Sequence, residues 1–403
     1  MRNVDAAGLG IGDDHPPRIM GVLNVSEESP YDPSVYDDPG EAAAYVDEAL
    51  IDEGADIVDV GLESANKKFE VLSADEELAR LDTAVETMAS VSGDAVWSIE
   101  TRYHEVADEA LSRGFDMVND ICGFADPQMP RVCADHDAAV SKMASPPDLE
   151  RPGAIEEVDD IYDALSRNGF TEKTLLDPAF GGWSEAKTLA DDRETFRRLR
   201  EFRGYGRPLL VSINRKNFLR DVADRSTEDA LPVSLAATSL AVERGAHVIR
   251  THDVAETRDA ALIGAEFARD RTSHDGEVGV EELDVTTTRE ASRHLDRLDV
   301  DDHAIAARSV VRSYELEGVS PEAVGALRAA AADVDAAFVT AGATDRSAGT
   351  SSATDGGDGD GRAHGVRGLL VGTPASISSV KTEVSGVTNA LDRAFDAIAA
   401  TLK

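Results

Sequence analysis

Arg250-Thr251-His252-Asp253 follows the apolar run Ala246-His247-Val248-Ile249, which reads as a buried strand. An arginine and a histidine at i and i+2 on a strand's carboxyl end point the same way. Together they suit a pyrophosphate, as a planar fork of donors beside a second donor. A salt-bridged strand end would explain one such pair, but the ends of the earlier apolar runs are polar too. They carry Asn24, Glu63, Glu100, Asn119 with Asp120, Lys142, Asp177, and Arg215 with Lys216. Asn24, Arg250 and His252 suit an anion with a divalent metal. Glu100, Asn119 and Asp177 suit a heterocycle with several N–H and amide groups. A buried carboxylate that accepts two hydrogen bonds from an aminopyrimidinone makes a bidentate lock. Lys67, Lys68, Lys142 and Lys216 fall in or beside these loops and predict a local positive pocket. Lys67 and Lys68 read equally well as solvated loop residues.

These side chains need a frame that gathers strand ends. From Arg18 to about Arg269 the chain alternates short apolar runs with segments of helical period. The strands are expected at Ile19–Leu23, Asp56–Val60, Ala95–Ile99, Met117–Val118, Ala138–Val140, Thr174–Leu176, Pro208–Ile213 and His247–Ile249. That is the arithmetic of an α/β fold built as a TIM (β/α)8 barrel, whose chemistry sits at the carboxyl ends of its strands. A doubly wound open sheet would want a phosphate loop after its first strand. Gly8-Leu9-Gly10-Ile11-Gly12 has the wrong spacing and precedes any strand, so residues 1–16 are expected to form a flexible arm. The barrel is expected over 17–270. A small α/β accessory domain is expected over 271–403, with a disordered Ser/Thr/Gly/Asp insertion at 342–365.

The 403 residues carry 40 basic and 78 acidic side chains, a net charge of −38. An acidic, lysine-poor surface with 42% hydrophobic residues resembles the proteins of salt-loving organisms. The plainer reading is an ordinary acidic cytosolic protein. Either way the charge disfavours nucleic acid and anionic membranes as partners. Cys122 and Cys133 lack metal-ligand spacing, which predicts a reduced, cytoplasmic chain. No signal peptide and no membrane span is expected.

Residues 18–269 resemble dihydropteroate synthase, of the pterin-binding barrel family. Ile19-Met20-Gly21-Val22-Leu23-Asn24-Val25-Ser26 is similar to that family's first strand and loop. Gly54-Ala55-Asp56-Ile57-Val58-Asp59-Val60-Gly61-Leu62-Glu63-Ser64 is similar to its second. Asn119-Asp120-Ile121-Cys122-Gly123, Asp177-Pro178-Ala179-Phe180-Gly181, Asn214-Arg215-Lys216 and Arg250-Thr251-His252-Asp253 resemble the fourth, sixth, seventh and eighth. The resemblance implies a transferase joining a dihydropterin hydroxymethyl pyrophosphate to p-aminobenzoate or a related arylamine. It also implies Mg²⁺ as cofactor and a homodimer.

By the same resemblance, Asn24 would contact the pyrophosphate and the magnesium ion. Asn119 and Asp177 would hold the pterin by its pyrimidine edge, with Phe180 also in the substrate site. Glu100 stands where the family usually has aspartate, and its extra methylene moves the carboxylate by roughly an ångström. Lys216 would bond to or stack along the ring, and Arg250 with His252 would bind the pyrophosphate. Asn24, Lys216, Arg250 and His252 form the expected catalytic set. The sequence departs from the family in its loops. Ser64-Ala65-Asn66-Lys67-Lys68 replaces Ser-Thr-Arg-Pro-Gly, Glu27 and Glu28 replace Pro and Asp, Pro30 replaces Phe, and Asn217 replaces serine. Two other classes fit part of the pattern. A pterin-dependent methyltransferase domain would need no pyrophosphate site. A non-catalytic pterin-binding subunit would tolerate the altered second loop.

Overall fold

The computed structural model describes residues 3–25, 34–63, 71–181, 184, 186–275, 278–340 and 365–402. Two short antiparallel strands, β1 (Val4–Ala6) and β2 (Leu9–Ile11), come first. The barrel strands are β3 (Arg18–Asn24), β4 (Ile57–Gly61), β5 (Val96–Thr101), β6 (Met117–Asp120), β7 (Ala139–Met143), β8 (Thr174–Asp177), β9 (Leu210–Val211) and β10 (Val248–Thr251). They pair in parallel in the order β8-β7-β6-β5-β4-β3-β10-β9. A parallel bridge from Leu176 to Leu209 brings the two ends together and closes the ring. All eight expected strands are present.

Strands covered on both sides must be apolar outside as well as inside. The outward residues, such as Ile19, Val58, Ile99, Val118, Val140, Leu176 and Ile249, pack under the surrounding helices in one large core. The helices carry local start signals. Ser73 caps Ala74–Ser90 in a capping box with Glu76, and Thr188 caps Leu189–Arg197 in a box with Asp191.

The lower interior is filled by one side chain from each barrel strand: Met20, Ile57, Val96, Met117, Ala139, Leu175, Leu210 and Val248. Val4, Ala6 and Ile11 join this cluster and are at most 2% exposed. The expected flexible arm is therefore wrong for residues 3–16. An uncovered barrel floor would leave apolar side chains in water, and the β1–β2 hairpin plugs it. Its turn places Ala7 at φ 50° and Gly8 at φ 91°, the double left-handed geometry of a tight hairpin. Of the glycines in Gly8-Leu9-Gly10-Ile11-Gly12, Gly8 serves this turn, while Gly10 lies within β2 and Gly12 follows it.

The chain divides into two compact units, Met1–Leu283 and Asp284–Lys403. The polar stretch after residue 270 holds a hairpin, β11 (Thr272–Asp275) with β12 (Val278–Glu281), and belongs to the first unit. The second unit therefore starts later than the expected 271. It contains β13 (Arg312–Val319), β14 (Ala336–Thr340) and β15 (Val366–Gly372) in the antiparallel order β13-β15-β14. Helices Pro321–Ala332, Pro374–Glu383 and Asn389–Thr401 supply the rest of its core, around Leu316, Leu327, Phe338, Leu370, Ile377 and Phe395. The expected insertion lies outside the described residues except for Gly365. Among the described residues no helix is long and apolar enough to cross a membrane.

Candidate active site

Side chains along a strand alternate between its two faces, so the inward set advances by two. One step above the apolar floor the inward residues are Val22, Asp59, Ser98, Asn119, Ser141, Asp177, Ser212 and Arg250. The next step gives Asn24, Gly61, Glu100, Ile121, Met143, Ala179 and His252. The change from apolar to polar within one step marks where packing ends and a site begins. A cavity of about 110 Å³ opens there, lined among others by Glu100, Asn119, Asp177, Phe180, Lys216 and Arg250.

Asp59 is fully buried and collects three donors. Ser98 Oγ donates to Oδ1 at 2.7 Å, while Asn119 Nδ2 and Arg250 Nε donate to Oδ2 at 3.0 and 2.7 Å. Arg250 Nη2 also donates to Glu100 Oε2 at 2.6 Å. Burial alone would favour a neutral Arg250, but Glu100 and Asp59 outweigh it and hold the guanidinium charged. Burial raises the Glu100 pKa, and Arg250 opposes that rise.

On the opposite wall Asp177 Oδ1 accepts the Ala179 N–H at 2.8 Å. Burial pushes its pKa up to about 6, against the pull of that bond and of Lys216. Burial and the nearby Arg250 lower the Lys216 pKa, and Asp177 opposes them. Gly181 makes room for Lys216. A Cβ at this glycine, which sits at φ +74°, would lie 3.4 Å from Lys216 Nζ. Its N–H is held by both carboxylate oxygens of Asp192, at 3.0 and 3.1 Å. Phe180 is buried, lines the cavity and stacks on Phe218 at 5.7 Å between ring centroids.

Asn24 Nδ2 donates to Ser34 Oγ at 2.9 Å, which turns Oδ1 toward Gly61. A Cβ at Gly61 would lie 3.2 Å from Asn24 Oδ1, 3.7 Å from Glu100 Oε1 and 3.8 Å from the Glu63 carbonyl oxygen, so three oxygens converge over this glycine. Burial and then Arg250 lower the His252 pKa to about 3, so its imidazole is neutral at physiological pH.

Six residues named from the strand ends are not among those lining the cavity: Asn24 and His252, described above, and four that make their bonds elsewhere. Lys142 lies on the outward face of β7, between inward-facing Ser141 and Met143. Its ammonium donates to the carbonyl oxygens of Arg167 and Gly169 and lies 4.6 Å from the Phe124 ring centroid. Asp120 faces outward as well and accepts the backbone N–H groups of Cys122, Gly123 and Phe124. Arg215 pairs with Asp253 through Nε and Nη2 at 2.8 and 2.9 Å and ties the seventh loop to the eighth. Glu63 accepts from Arg102 and, at 3.0 Å, from the Leu72 N–H, so it anchors the stem of the second loop. The loop positions Glu27, Glu28, Pro30 and Ser64-Ala65-Asn66-Lys67-Lys68 lie outside the described residues.

The residue that strand-end reading missed is Asp59. Its signal was present: a carboxylate inside Ile57-Val58-Asp59-Val60 cannot be buried without donors. Ser212, Ile121 and Met143, which also line the cavity, follow from the two-residue step alone.

The family model described as pterin binding enzyme matches residues 20–252. The chain is 32% identical over 263 residues to dihydropteroate synthase of Bacillus subtilis, covering 64% of this chain and 90% of that protein. It is 32% identical over 257 residues to a probable bifunctional folylpolyglutamate synthase/dihydropteroate synthase of Halobacterium salinarum. That match covers 61% of this chain but only 31% of the bifunctional protein. Among solved structures, Xanthomonas albilineans dihydropteroate synthase with 4-aminobenzoic acid superposes with a TM-score of 0.56 at 30% identity. The superposition covers 65% of this chain and 96% of that one.

Proposed function

The chain belongs to the pterin binding enzyme family, and we propose that its barrel mouth carries out the dihydropteroate synthase reaction of folate biosynthesis. A dihydropterin hydroxymethyl pyrophosphate is joined to p-aminobenzoate or a related arylamine, with release of pyrophosphate. The observation that carries this reading is the division of one cavity into acceptors and cations. Asn119 and Asp177 offer oxygen acceptors to a ring bearing N–H groups, while Arg250 and Lys216 offer positive charge. The amine nitrogen attacks the exocyclic methylene carbon, the C–O bond breaks, and the pair leaves with pyrophosphate as the amine sheds one proton. Arg250 stabilises the charge growing on the leaving group, and His252 adds a neutral N–H donor. Glu100 and Asp177 favour positive charge on the ring. Phe180 lines the ring site and Lys216 bonds to or stacks along the ring. No covalent nucleophile is required.

Mg²⁺ suits the oxygens that converge over Gly61, because it takes hard oxygen ligands. Asn24 Oδ1 is the residue atom that would hold it, and the ion would supply positive charge beside the leaving pyrophosphate. A cytoplasmic placement is supported by the buried free thiols Cys122 and Cys133. A homodimer is supported by exposed Leu240, Leu262, Ile263 and Phe267 on and beside two packed helices.

Steady-state product formation tests the reading. The native chain should turn over p-aminobenzoate. Arg250→Ala should weaken the pyrophosphate-bearing substrate by about 2 kcal/mol or more, the scale of a lost charge-assisted contact. Free pterin binding should stay nearly unchanged, and equal losses for both ligands would overturn the assignment. One observation favours a second reading, a non-catalytic pterin-binding subunit. The altered Ala65-Asn66-Lys67-Lys68 segment loses arginine's fork and proline's stiffness. A raised Michaelis constant for p-aminobenzoate, improved by Ala65→Thr, Asn66→Arg, Lys67→Pro and Lys68→Gly together, supports the enzyme. Pterin pyrophosphate binding without turnover in either chain would select the subunit.

A further inference from the structure

Three side chains of the site converge on a residue that touches the cavity only through them. Asp59 sits in mid-strand on β4 with no solvent exposure. A carboxylate can only accept, so Asn119 must present its amide Nδ2 to it, at 3.0 Å. That choice turns Asn119 Oδ1 toward the cavity. An asparagine with no such neighbour can present either end of its amide, and a ring edge rich in N–H groups is recognised by only one of them. Asp59 therefore decides which.

The same carboxylate oxygen takes Arg250 Nε at 2.7 Å, while Glu100 takes Nη2 at 2.6 Å. Nε and Nη2 form the side edge of a guanidinium. With that edge occupied by two carboxylates, Nη1 and the second Nη2 hydrogen form the edge left for an anion. Ser98 Oγ donates to the other Asp59 oxygen at 2.7 Å and fixes the plane of the carboxylate.

We propose that Asp59 is a positioning residue that fixes the hydrogen-bonding direction of Asn119 and the orientation of Arg250, so that one buried carboxylate sets both ring and pyrophosphate recognition. The proposal rests on the pterin and pyrophosphate reading of the site given above. It separates Asp59 from the residues on either side of it. Loss of Arg250 should affect the anion and loss of Asp177 the ring, whereas loss of Asp59 should affect both.

The test uses the full chain and two probes, 6-hydroxymethylpterin and inorganic pyrophosphate, titrated calorimetrically alongside steady-state kinetics. In Asp59→Asn a donor faces the Asn119 amide and the charge opposite Arg250 is lost. Both probes should weaken by about tenfold or more, the size of a lost hydrogen bond to a charged group. The Michaelis constant for the pterin pyrophosphate should rise with them, and that for p-aminobenzoate should stay within about twofold. Exchanging the two groups, Asp59→Asn with Asn119→Asp, restores an acceptor that faces the cavity and a donor behind it. The exchange variant should recover most of the 6-hydroxymethylpterin affinity lost in the single variant. Unchanged probe affinities in Asp59→Asn, an equal rise in the p-aminobenzoate constant, or no recovery in the exchange variant would each overturn the proposal. A native chain that binds neither probe would instead overturn the functional reading beneath it.

Discussion

Asp177 shows how the site trades stability for recognition. Its pKa is pushed up to about 6 in the folded chain, from 3.8, chiefly by burial. A carboxyl whose pKa rises on folding adds stability that is full below 3.8 and is lost as pH climbs through about 6. At neutral pH the ionised group therefore adds no stability. Ring recognition needs that ionised form, because a protonated carboxyl turns one acceptor into a donor against a ring N–H. The kcat/KM for the pterin pyrophosphate should accordingly fall on an acid limb near pH 6, and kcat/KM that stays flat down to pH 4.5 would contradict the assignment. Asp177→Asn should lose pterin binding while melting no lower than the native chain at pH 7. A large drop in melting temperature would make Asp177 structural instead. The inward residues read from strand ends, Asn24, Glu100, Asn119, Asp177, Arg250 and His252, share one property: each lies an even number of places from the strand residue that faces the floor. Lys142 and Asp120 stand one place off and face the helices. Polar type at a strand end was legible in the sequence. The face was not, because the strand limits were known only to within a residue or two, and a one-residue slip reverses every side chain.

At the scale of elements, the barrel was legible because parallel strands buried on both sides must be continuous apolar runs, and eight such runs alternate with helical periods. The β1–β2 hairpin was not legible, since three-residue strands around Ala6-Ala7-Gly8-Leu9 carry too little pattern to register. Only the eight-membered floor explains why they form. Ile11 is 0% exposed against that floor. Ile11→Ala should cost about 2–4 kcal/mol of unfolding free energy, the usual range for a fully buried large-to-small change. Urea denaturation measures this as a lower midpoint at unchanged slope. Pterin affinity should hold in the folded variant, because the floor and the mouth lie at opposite ends of the strands. A variant with the native midpoint would mean that the arm is loose in solution after all. The second loop shows a different limit. Its sequence differs from the family pattern in four consecutive residues that lie outside the described residues, while Glu63 before it accepts from Arg102 and from the Leu72 N–H after it.

The whole molecule is governed by a net charge of −38. Few lysines are left to offset it at the surface. Of the chain's lysines, Lys142, Lys187 and Lys216 are buried away from the surface, against carbonyl oxygens, Asp192 or the cavity. Two consequences of opposite origin follow. Self-repulsion among surface carboxylates destabilises the compact state, and salt screens charges separated by more than a Debye length, about 10 Å at 0.1 M. The melting temperature should therefore rise steadily from low to molar KCl. The same negative field repels an anionic substrate before it reaches the mouth, so screening should also speed its arrival. The contact it makes there is different. Arg250 is flanked at 2.6–2.7 Å by Glu100 and Asp59, and such buried pairs are little affected by salt. The kcat/KM for the pterin pyrophosphate should thus increase with KCl, while kcat at saturation stays nearly level. Thermal melts and initial rates across one salt series read both effects on one preparation. A falling melting temperature would contradict the repulsion argument. A falling kcat/KM with a rising melting temperature would show instead that the substrate is drawn in by a positive field at the mouth, strong enough to override the charge of the surface around it.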